Sequence, residues 1–206
     1  MEGSQKSSTE REIEKLYEEA RKLKKTLPKK FKRKALPQSI SPEDFNKILT
    51  QCNIKKKSGK IDRIAFLLAY ESGLRVSEVV KLQKTDINLP QKSMFIRDAK
   101  FSKDRVVPLP ATWKNFMLDF IPIEKGIRAL QKSFKLACKK SQVNSIYHFH
   151  SLRHSFATRC LEKGMPINQV SMLLGHSSIG TTNIYVQANP VDALNKYQEL
   201  FASDSK

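Results

Sequence analysis

Three short segments of this 206-residue chain combine arginine, histidine and tyrosine side chains at fixed spacings. They contain Arg75 and Glu78 in the first, His150 and Arg153 in the second, and His176, nine residues before Tyr185, in the third. A lysine, Lys100, lies between the first two segments. A phosphodiester carries negative charge that grows in the transition state of phosphoryl transfer, so cations must be aimed at its oxygens. The set therefore indicates cleavage of a phosphodiester.

Each residue type suits one part of that chemistry. The arginine fork binds two phosphate oxygens and stays charged, and a tyrosine hydroxyl can form a covalent intermediate. Lysine or histidine can protonate the departing oxygen. Two alternatives stay open from the residues alone. Arg75 could form an ordinary ion pair with Glu71 or Glu78, and the three histidines 148, 150 and 154 could hold a metal ion.

Helices must position these segments. Ser41-Pro42 predicts a helix start, with Phe45, Ile48 and Leu49 buried. Lys55 to Lys60 is expected to form a basic loop, and Ile61 to Glu71 a buried helix that stops at Gly73. The other predicted helices are Val76–Leu82, Glu124–Lys140, Leu152–Lys163, Ile167–Leu174, Thr181–Gln187 and Val191–Phe201.

In the middle of the chain, the spacing of apolar residues changes from a helical period to that of β-strands. Met94–Arg97 and Arg105–Leu109 are short β-type runs around the polar bend from Asp98 to Asp104, which predicts a hairpin or a three-stranded sheet. The fold class expected is α+β, mostly α-helical, with a small antiparallel sheet. Aromatic side chains expected to pack in its interior are Tyr17, Tyr70, Tyr147, Tyr197, Phe45, Phe66, Phe116, Phe134 and Phe156.

Composition indicates the partner. The chain carries 38 basic and 20 acidic side chains, a formal charge of +18, which favours a nucleic acid. No apolar run is long enough to span a bilayer, so no membrane partner is expected. The cysteines, Cys52, Cys138 and Cys160, are far apart and are interpreted as buried thiols in a reducing compartment. The expected location is cytoplasmic and nucleoid-associated.

Residues 1–35 differ from the rest. An amphipathic helix is expected to lead into a basic linker, with the folded domain spanning residues 36–206. A charged segment without a partner is the alternative to a DNA-binding one. The residues expected to contact DNA, in this segment and beyond it, are Lys29, Lys30, Lys32, Arg33, Lys34, Lys55, Lys56, Lys57, Lys103 and Arg105.

The three segments and their order closely resemble the tyrosine recombinases, particularly the Xer recombinases and related phage and archaeal integrases. Gly73 to Glu78 matches the first arginine box, His150 to His154 the second, and Leu174-Gly175-His176 with Ile184-Tyr185 the last. The stretch from Ala99 to Leu109 looks like the family's lysine turn, with Lys103 as the second choice after Lys100. The family usually has a separate N-terminal core-binding domain, so the chain is either an excised fragment or a naturally short member.

The resemblance implies a role for each residue. Arg75 and Arg153 would clamp the phosphate, Tyr185 would attack it to leave a 3′-phosphotyrosyl bond, and Lys100 would protonate the 5′-oxygen. His150 would carry the tyrosine proton, His176 would donate to the phosphate, and Glu78 would orient the cations.

The implied enzyme is a site-specific recombinase or integrase that needs no metal, ATP or other cofactor. Its partner would be double-stranded DNA, bound by a tetramer that exchanges its C-terminal helices in trans. Two other functions stay open: a type IB topoisomerase-like enzyme that relaxes DNA, and a non-catalytic DNA-binding protein with the same fold.

Overall fold

The computed structural model describes residues 39–97, 104–175 and 190–202, together with Glu18. The chain divides into two units, residues 1–36 and 37–206. The predicted helix and linker of residues 1–35 lie outside the described residues apart from Glu18, as do Tyr17 and the predicted helix Thr181–Gln187.

Helices account for most of the described second unit. They are α1 (Pro42–Thr50), α2 (Lys57–Glu71), α3 (Val76–Lys81), α4 (Ile127–Lys140), α5 (Phe149–Glu162), α6 (Ile167–Leu174) and α7 (Pro190–Phe201). Two 3₁₀ turns, Lys84–Asp86 and Asn115–Phe120, connect them with the sheet. No described helix is long and apolar enough to cross a membrane.

The sheet is small and antiparallel. Its strands β1 (Ile87–Asn88), β2 (Ser93–Ile96) and β3 (Arg105–Pro108) lie in that order, and Ile96 pairs with Arg105 at the end that leads into the bend. Of the two arrangements expected from the sequence, the three-stranded one is present. The predicted class, mostly helical with a small antiparallel sheet, is confirmed.

Helix α1 begins as its sequence predicts. The Ser41 hydroxyl accepts a hydrogen bond from the Asp44 amide (3.1 Å), and Pro42 occupies the first turn, where its missing N–H costs nothing. The side chains of Phe45, Ile48 and Leu49 are buried, as expected.

The predicted basic loop from Lys55 to Lys60 is wrong, because α2 already begins at Lys57. The Lys60 amide donates to the Lys56 carbonyl (3.1 Å) in its first turn. A Cβ at Gly59 would lie 2.1 Å from the Asn53 carbonyl oxygen, so the turn packs closely on the preceding loop. Lysines are good helix formers, and the glycine permits this contact.

Two other helix starts differ from the prediction. Helix α5 begins at Phe149, three residues before the predicted start at Leu152. The Ser151 hydroxyl accepts a hydrogen bond from the amide of the N-cap residue His148 (3.2 Å), which stabilises this earlier start. Helix α4 begins at Ile127, after Gly126 as its N-cap.

Buried apolar side chains of the described residues form two hydrophobic clusters. Phe66, Phe134 and Phe149 pack edge to face in the first, with ring centroids 5.1–6.0 Å apart. Phe156, Tyr197 and other α5–α7 residues form the second. The predicted interior aromatics within the described residues are buried except Phe116, which is 52% exposed on a 3₁₀ turn. The three cysteines are buried thiols, as predicted.

The turn after α2 requires a glycine. Gly73 has φ +70°, and a Cβ there would lie 2.6 Å from Phe156 Cδ1. A side chain would therefore meet both an unfavourable backbone conformation and a buried ring that cannot move freely.

We expect Gly73→Ala to lower the free energy of unfolding by about 2–4 kcal/mol, the sum of left-handed strain and overpacking. Gly164→Ala is the matched control. Its φ is +84°, but nothing lies within 4 Å of an added Cβ, so only the backbone cost of roughly 1–2 kcal/mol applies. Urea unfolding measures both changes, and equal losses would contradict the packing argument.

Candidate active site

The carboxylate of Glu78 lies at the centre of an arginine cluster. Its side chain is only 9% exposed. Oε1 accepts from Arg75 Nη1 (2.8 Å) and Arg105 Nη1 (2.9 Å). Oε2 accepts from the Arg75 amide (2.7 Å) and Arg105 Nη2 (2.9 Å). Glu78 thus holds the first arginine of the site and the first residue of β3 together.

Arg153 joins this cluster from α5. Its Nη1 donates to the Gly73 carbonyl (2.7 Å) and lies 3.7 Å from Glu78 Oε2. Its Nη2 donates to the Leu174 carbonyl. The second sequence segment is therefore bonded to the first and to the third, and the two predicted clamp arginines share one carboxylate.

All three arginines donate hydrogen bonds to the C-terminal end of α6. The carbonyls of Leu173, Leu174 and Gly175 accept from Arg105 Nε (2.8 Å), Arg153 Nη2 and Arg75 Nη2 (3.3 Å), in that order. The last carbonyls of a helix lack partners within it and form the negative end of its dipole, so cations stabilise them.

Gly175 makes this helix end possible. It terminates α6 with φ +63°, and an added Cβ would lie 2.9 Å from Arg105 Cδ. Only glycine allows both the left-handed turn and the close approach of the arginine. The residue that follows it is His176.

The three arginine side chains of the cluster differ in their exposure to solvent. The side chain of Arg75 is 35% exposed, whereas those of Arg105 and Arg153 are 7% and 3% exposed. Burial by itself would raise the pKa of Glu78. Hydrogen bonds from Arg105 and its charge, then the bonds from Arg75, outweigh that effect and hold the pKa below its usual range. Glu78 is therefore ionised, and the three arginines exceed its charge by two.

His150 lies in the first turn of α5, one turn before Arg153. Burial lowers its pKa, and the positive charges of Arg153, His148, Arg75 and His154 lower it further. The neutral form, which can accept a proton, therefore predominates at pH 7.

The structure brings four of the candidates into one region: Arg75, Glu78, His150 and Arg153. Lys100, His176 and Tyr185 lie outside the described residues, as do Lys29, Lys30, Lys32, Arg33, Lys34 and Lys103. Lys55, Lys56 and Lys57 are exposed at the start of α2, and Lys57 Nζ lies 2.6 Å from Glu124.

Arg105 differs from its expected place on a DNA-facing surface. It is buried and bonded within the cluster. Residues two apart on a strand share a face, and Val107 is fully buried. The alternation of β3 therefore contained the signal that Arg105 points inward.

Within the part of the chain that the structure describes, no three His, Cys, Asp or Glu side chains form a group that could hold a metal ion. The alternative of a metal site on histidines 148, 150 and 154 has no support there. The ordinary Arg75–Glu78 ion pair that the sequence left open is present, but it is part of the larger arginine cluster.

Comparison with known proteins shows the family and the fold. Residues 38–126 and 123–191 match the phage integrase family. The chain belongs to this family. A tyrosine recombinase XerA from Thermococcus onnurineus is 36% identical over 202 residues, 88% of this chain and 67% of the relative. The XerA of Thermococcus kodakarensis is 34% identical, over 91% of this chain and 69% of that protein. This phage integrase family member thus spans about two thirds of the length of these relatives.

Solved structures share the fold. The integrase of mycobacterium phage Brujita has a TM-score of 0.63 at 21% identity, covering 84% of this chain and 61% of its own. A XerA recombinase has a TM-score of 0.58 at 22% identity, covering 84% and 66%. The predicted resemblance and the catalytic-domain fold are confirmed. The matches favour a recombinase over the topoisomerase-like alternative.

A pH profile tests the interpretation of His150. If its neutral ring accepts the nucleophile's proton, DNA cleavage should fall only below pH 6.5, the ordinary histidine value, because the pKa is lowered. His150→Gln should cleave roughly 10²-fold more slowly and lose this acidic limb. Single-turnover rates from pH 5 to 9, with His148→Gln as the neighbouring control that keeps the limb, provide the measurement. An unchanged limb in His150→Gln would assign it to another group.

Proposed function

We propose that this chain is a site-specific DNA recombinase or integrase that cleaves and rejoins strands through a covalent 3′-phosphotyrosyl bond at Tyr185. Family membership supports recombination. The observation that carries the chemistry is the arginine cluster on Glu78, in which Arg75 and Arg153, far apart in sequence, share one carboxylate.

In the proposed reaction, the Tyr185 oxygen attacks the scissile phosphorus and the bond to the 5′-oxygen breaks. The tyrosine proton passes to His150, and Lys100 gives a proton to the departing 5′-oxygen. Arg75 and Arg153 stabilise the charge that develops on the non-bridging oxygens, and His176 donates a hydrogen bond to the phosphate. Attack by a 5′-hydroxyl of another strand reverses the step and rejoins the DNA.

This chemistry needs neither a metal ion nor ATP. One phosphoester bond is exchanged for another, so the bond energy stays in the phosphotyrosyl link until rejoining. The excess positive charge of the arginine cluster takes the part that a divalent cation plays in other phosphoryl transfers.

Double-stranded DNA is the proposed partner, and nucleoid association follows from it. The formal charge of +18 favours a polyanion, and Lys55, Lys56 and Lys57 form an exposed cationic surface at the start of α2. Among proteins with this fold, XerH recombinase has been solved bound to its difH substrate. A lambda integrase tetramer has been solved bound to a Holliday junction. We propose a tetrameric synapse here as well.

Helix α7 packs on its own chain in this structure. Tyr197 Oη donates to the Glu71 carbonyl (2.7 Å), and Gln198 Nε2 donates to the Gln91 carbonyl (3.0 Å). We propose that in the synapse α7 leaves these contacts and makes the same ones on a neighbouring protomer. The contacts with Glu71 and Gln91 would then be made between chains.

Substitution of Tyr185 tests the nucleophile. We expect Tyr185→Phe to bind DNA normally and to form no covalent adduct, because the attacking oxygen is removed. The substrate is a binding site selected from a random-sequence duplex pool and nicked so that the released 5′-hydroxyl strand diffuses away. The adduct is detected on a denaturing gel in the presence of EDTA and without nucleotide. Tyr147→Phe, a buried tyrosine outside the cluster, should keep the adduct.

An adduct in Tyr185→Phe, or a need for metal or ATP in the wild-type chain, would contradict the respective part of the proposal. Arg75→Ala should slow adduct formation by about 10²–10³-fold, the scale of a lost preorganised donor.

Mixed protomers test the exchange of α7. A chain carrying Gln91→Cys is mixed with a chain carrying Gln198→Cys and treated with a short bismaleimide. The native cysteines are buried and should react slowly. We expect a crosslink between the two chains only with DNA carrying paired sites. The double variant should crosslink within one chain without DNA. If DNA yields no crosslink between chains, α7 stays in cis and the proposed exchange is wrong.

A further inference from the structure

Arg105 has the geometry of a structural connector. It is the first residue of β3, five residues after Lys100 in the sequence. Its two Nη atoms bind the two oxygens of Glu78, both at 2.9 Å, and its Nε binds the Leu173 carbonyl at 2.8 Å. A fork that meets both oxygens of a carboxylate is the strongest form of this ion pair and fixes its orientation.

We propose that Arg105 is a positioning residue for strand cleavage, and that it couples strand β3 to the arginine clamp. The inference rests on the proposed function, because its effect is on that reaction. Arg105 binds the same two carboxylate oxygens of Glu78 that Arg75 binds. It thereby joins strand β3 to Glu78 and to the end of α6.

The charge balance gives the first reason. Glu78 is buried and ionised. Without Arg105, Arg75 and Arg153 would be the arginines left in the described cluster to compensate its negative charge. The excess positive charge of the cluster would fall from two to one. Since the clamp acts by stabilising negative charge on a phosphate, Arg105 leaves the two clamp residues with more of their charge for the substrate.

The end of α6 gives the second reason. Arg105 takes the Leu173 carbonyl, which leaves the Leu174 and Gly175 carbonyls to Arg153 and Arg75. The three contacts order the clamp arginines along one helix terminus. A displacement of about 1 Å in such a constellation can reduce a rate by 10²-fold, so a residue that does not touch the phosphate can control cleavage.

The experiment separates this role from a DNA contact. In Arg105→Met, we expect the single-turnover cleavage rate at saturating DNA to fall about 10²-fold. The Kd for DNA and its salt dependence should match those of Arg128→Met. Arg128 is exposed on α4, so its variant removes the same charge away from the cluster. A loss of affinity beyond the control, with a salt slope lower by about one and normal cleavage at saturation, would identify a phosphate contact instead.

Two further variants keep the test informative if Arg105→Met folds poorly. Arg105→Lys keeps the charge and loses the fork, so its cleavage should also be slowed; wild-type cleavage would overturn the proposed fork geometry. In Arg105→Met/Glu78→Gln the uncompensated buried carboxylate is gone. This double variant should be more stable to urea than Arg105→Met and cleave no more slowly.

The single variant Glu78→Gln completes a double-mutant cycle with these two chains. Additive losses of cleavage rate in that cycle would show that Arg105 does not act through Glu78, and would overturn the inference. The proposed function fails separately, when the wild-type chain forms no adduct with the same DNA. A wild-type chain that cleaves, together with an Arg105→Met chain that cleaves equally fast, contradicts only the role of Arg105.

Discussion

A buried carboxylate needs compensating charge, and in this fold Glu78 obtains it from arginines that belong to different segments. Arg75 is close in sequence, whereas Arg105 comes from the sheet and Arg153 from α5. Ionised Glu78 has a lowered pKa, so its stabilising contribution is present above the ordinary carboxyl value and is lost as pH falls through the lowered one. The same interaction that stabilises the fold therefore assembles the arginine cluster.

The end of α6 imposes a second constraint that acts together with the first. Its last carbonyls must find donors outside the helix, and the three arginines supply them. Because each arginine also contacts Glu78, neither the carboxylate nor the helix end can be placed independently. Gly175, which terminates α6 with φ +63°, leaves room for Arg105 at this end. One set of side chains thus fixes both the arginine cluster and the end of α6.

Residue types and spacing were sufficient to predict the family and the small sheet, and they selected Arg75, Glu78, His150 and Arg153, which the structure brings into one region. They placed Arg105 on the surface, because an arginine beside a basic bend has the same local pattern whether it faces DNA or a buried carboxylate. Its partner Glu78 is distant in sequence, and only tertiary packing shows the pair. The start of α2 was misplaced for a related reason: a lysine run has no apolar period, and the Gly59 contact with Asn53 is not visible in a linear pattern.

Helix α7 packs beside the turn that joins α2 and α3. The ring of Tyr197 lies at a tilt to that of Phe156, with centroids 5.6 Å apart, and its hydroxyl donates to the carbonyl of Glu71, the last residue of α2. Phe156 in turn packs against Gly73, whose carbonyl accepts from Arg153. Tyr197 therefore contacts the end of α2, two residues before the glycine that binds Arg153. In the proposed synapse, the α7 of a neighbouring protomer would make this contact. Assembly would then have a physical route to the cleavage site, because the packing of α7 and the orientation of Arg153 depend on the same turn.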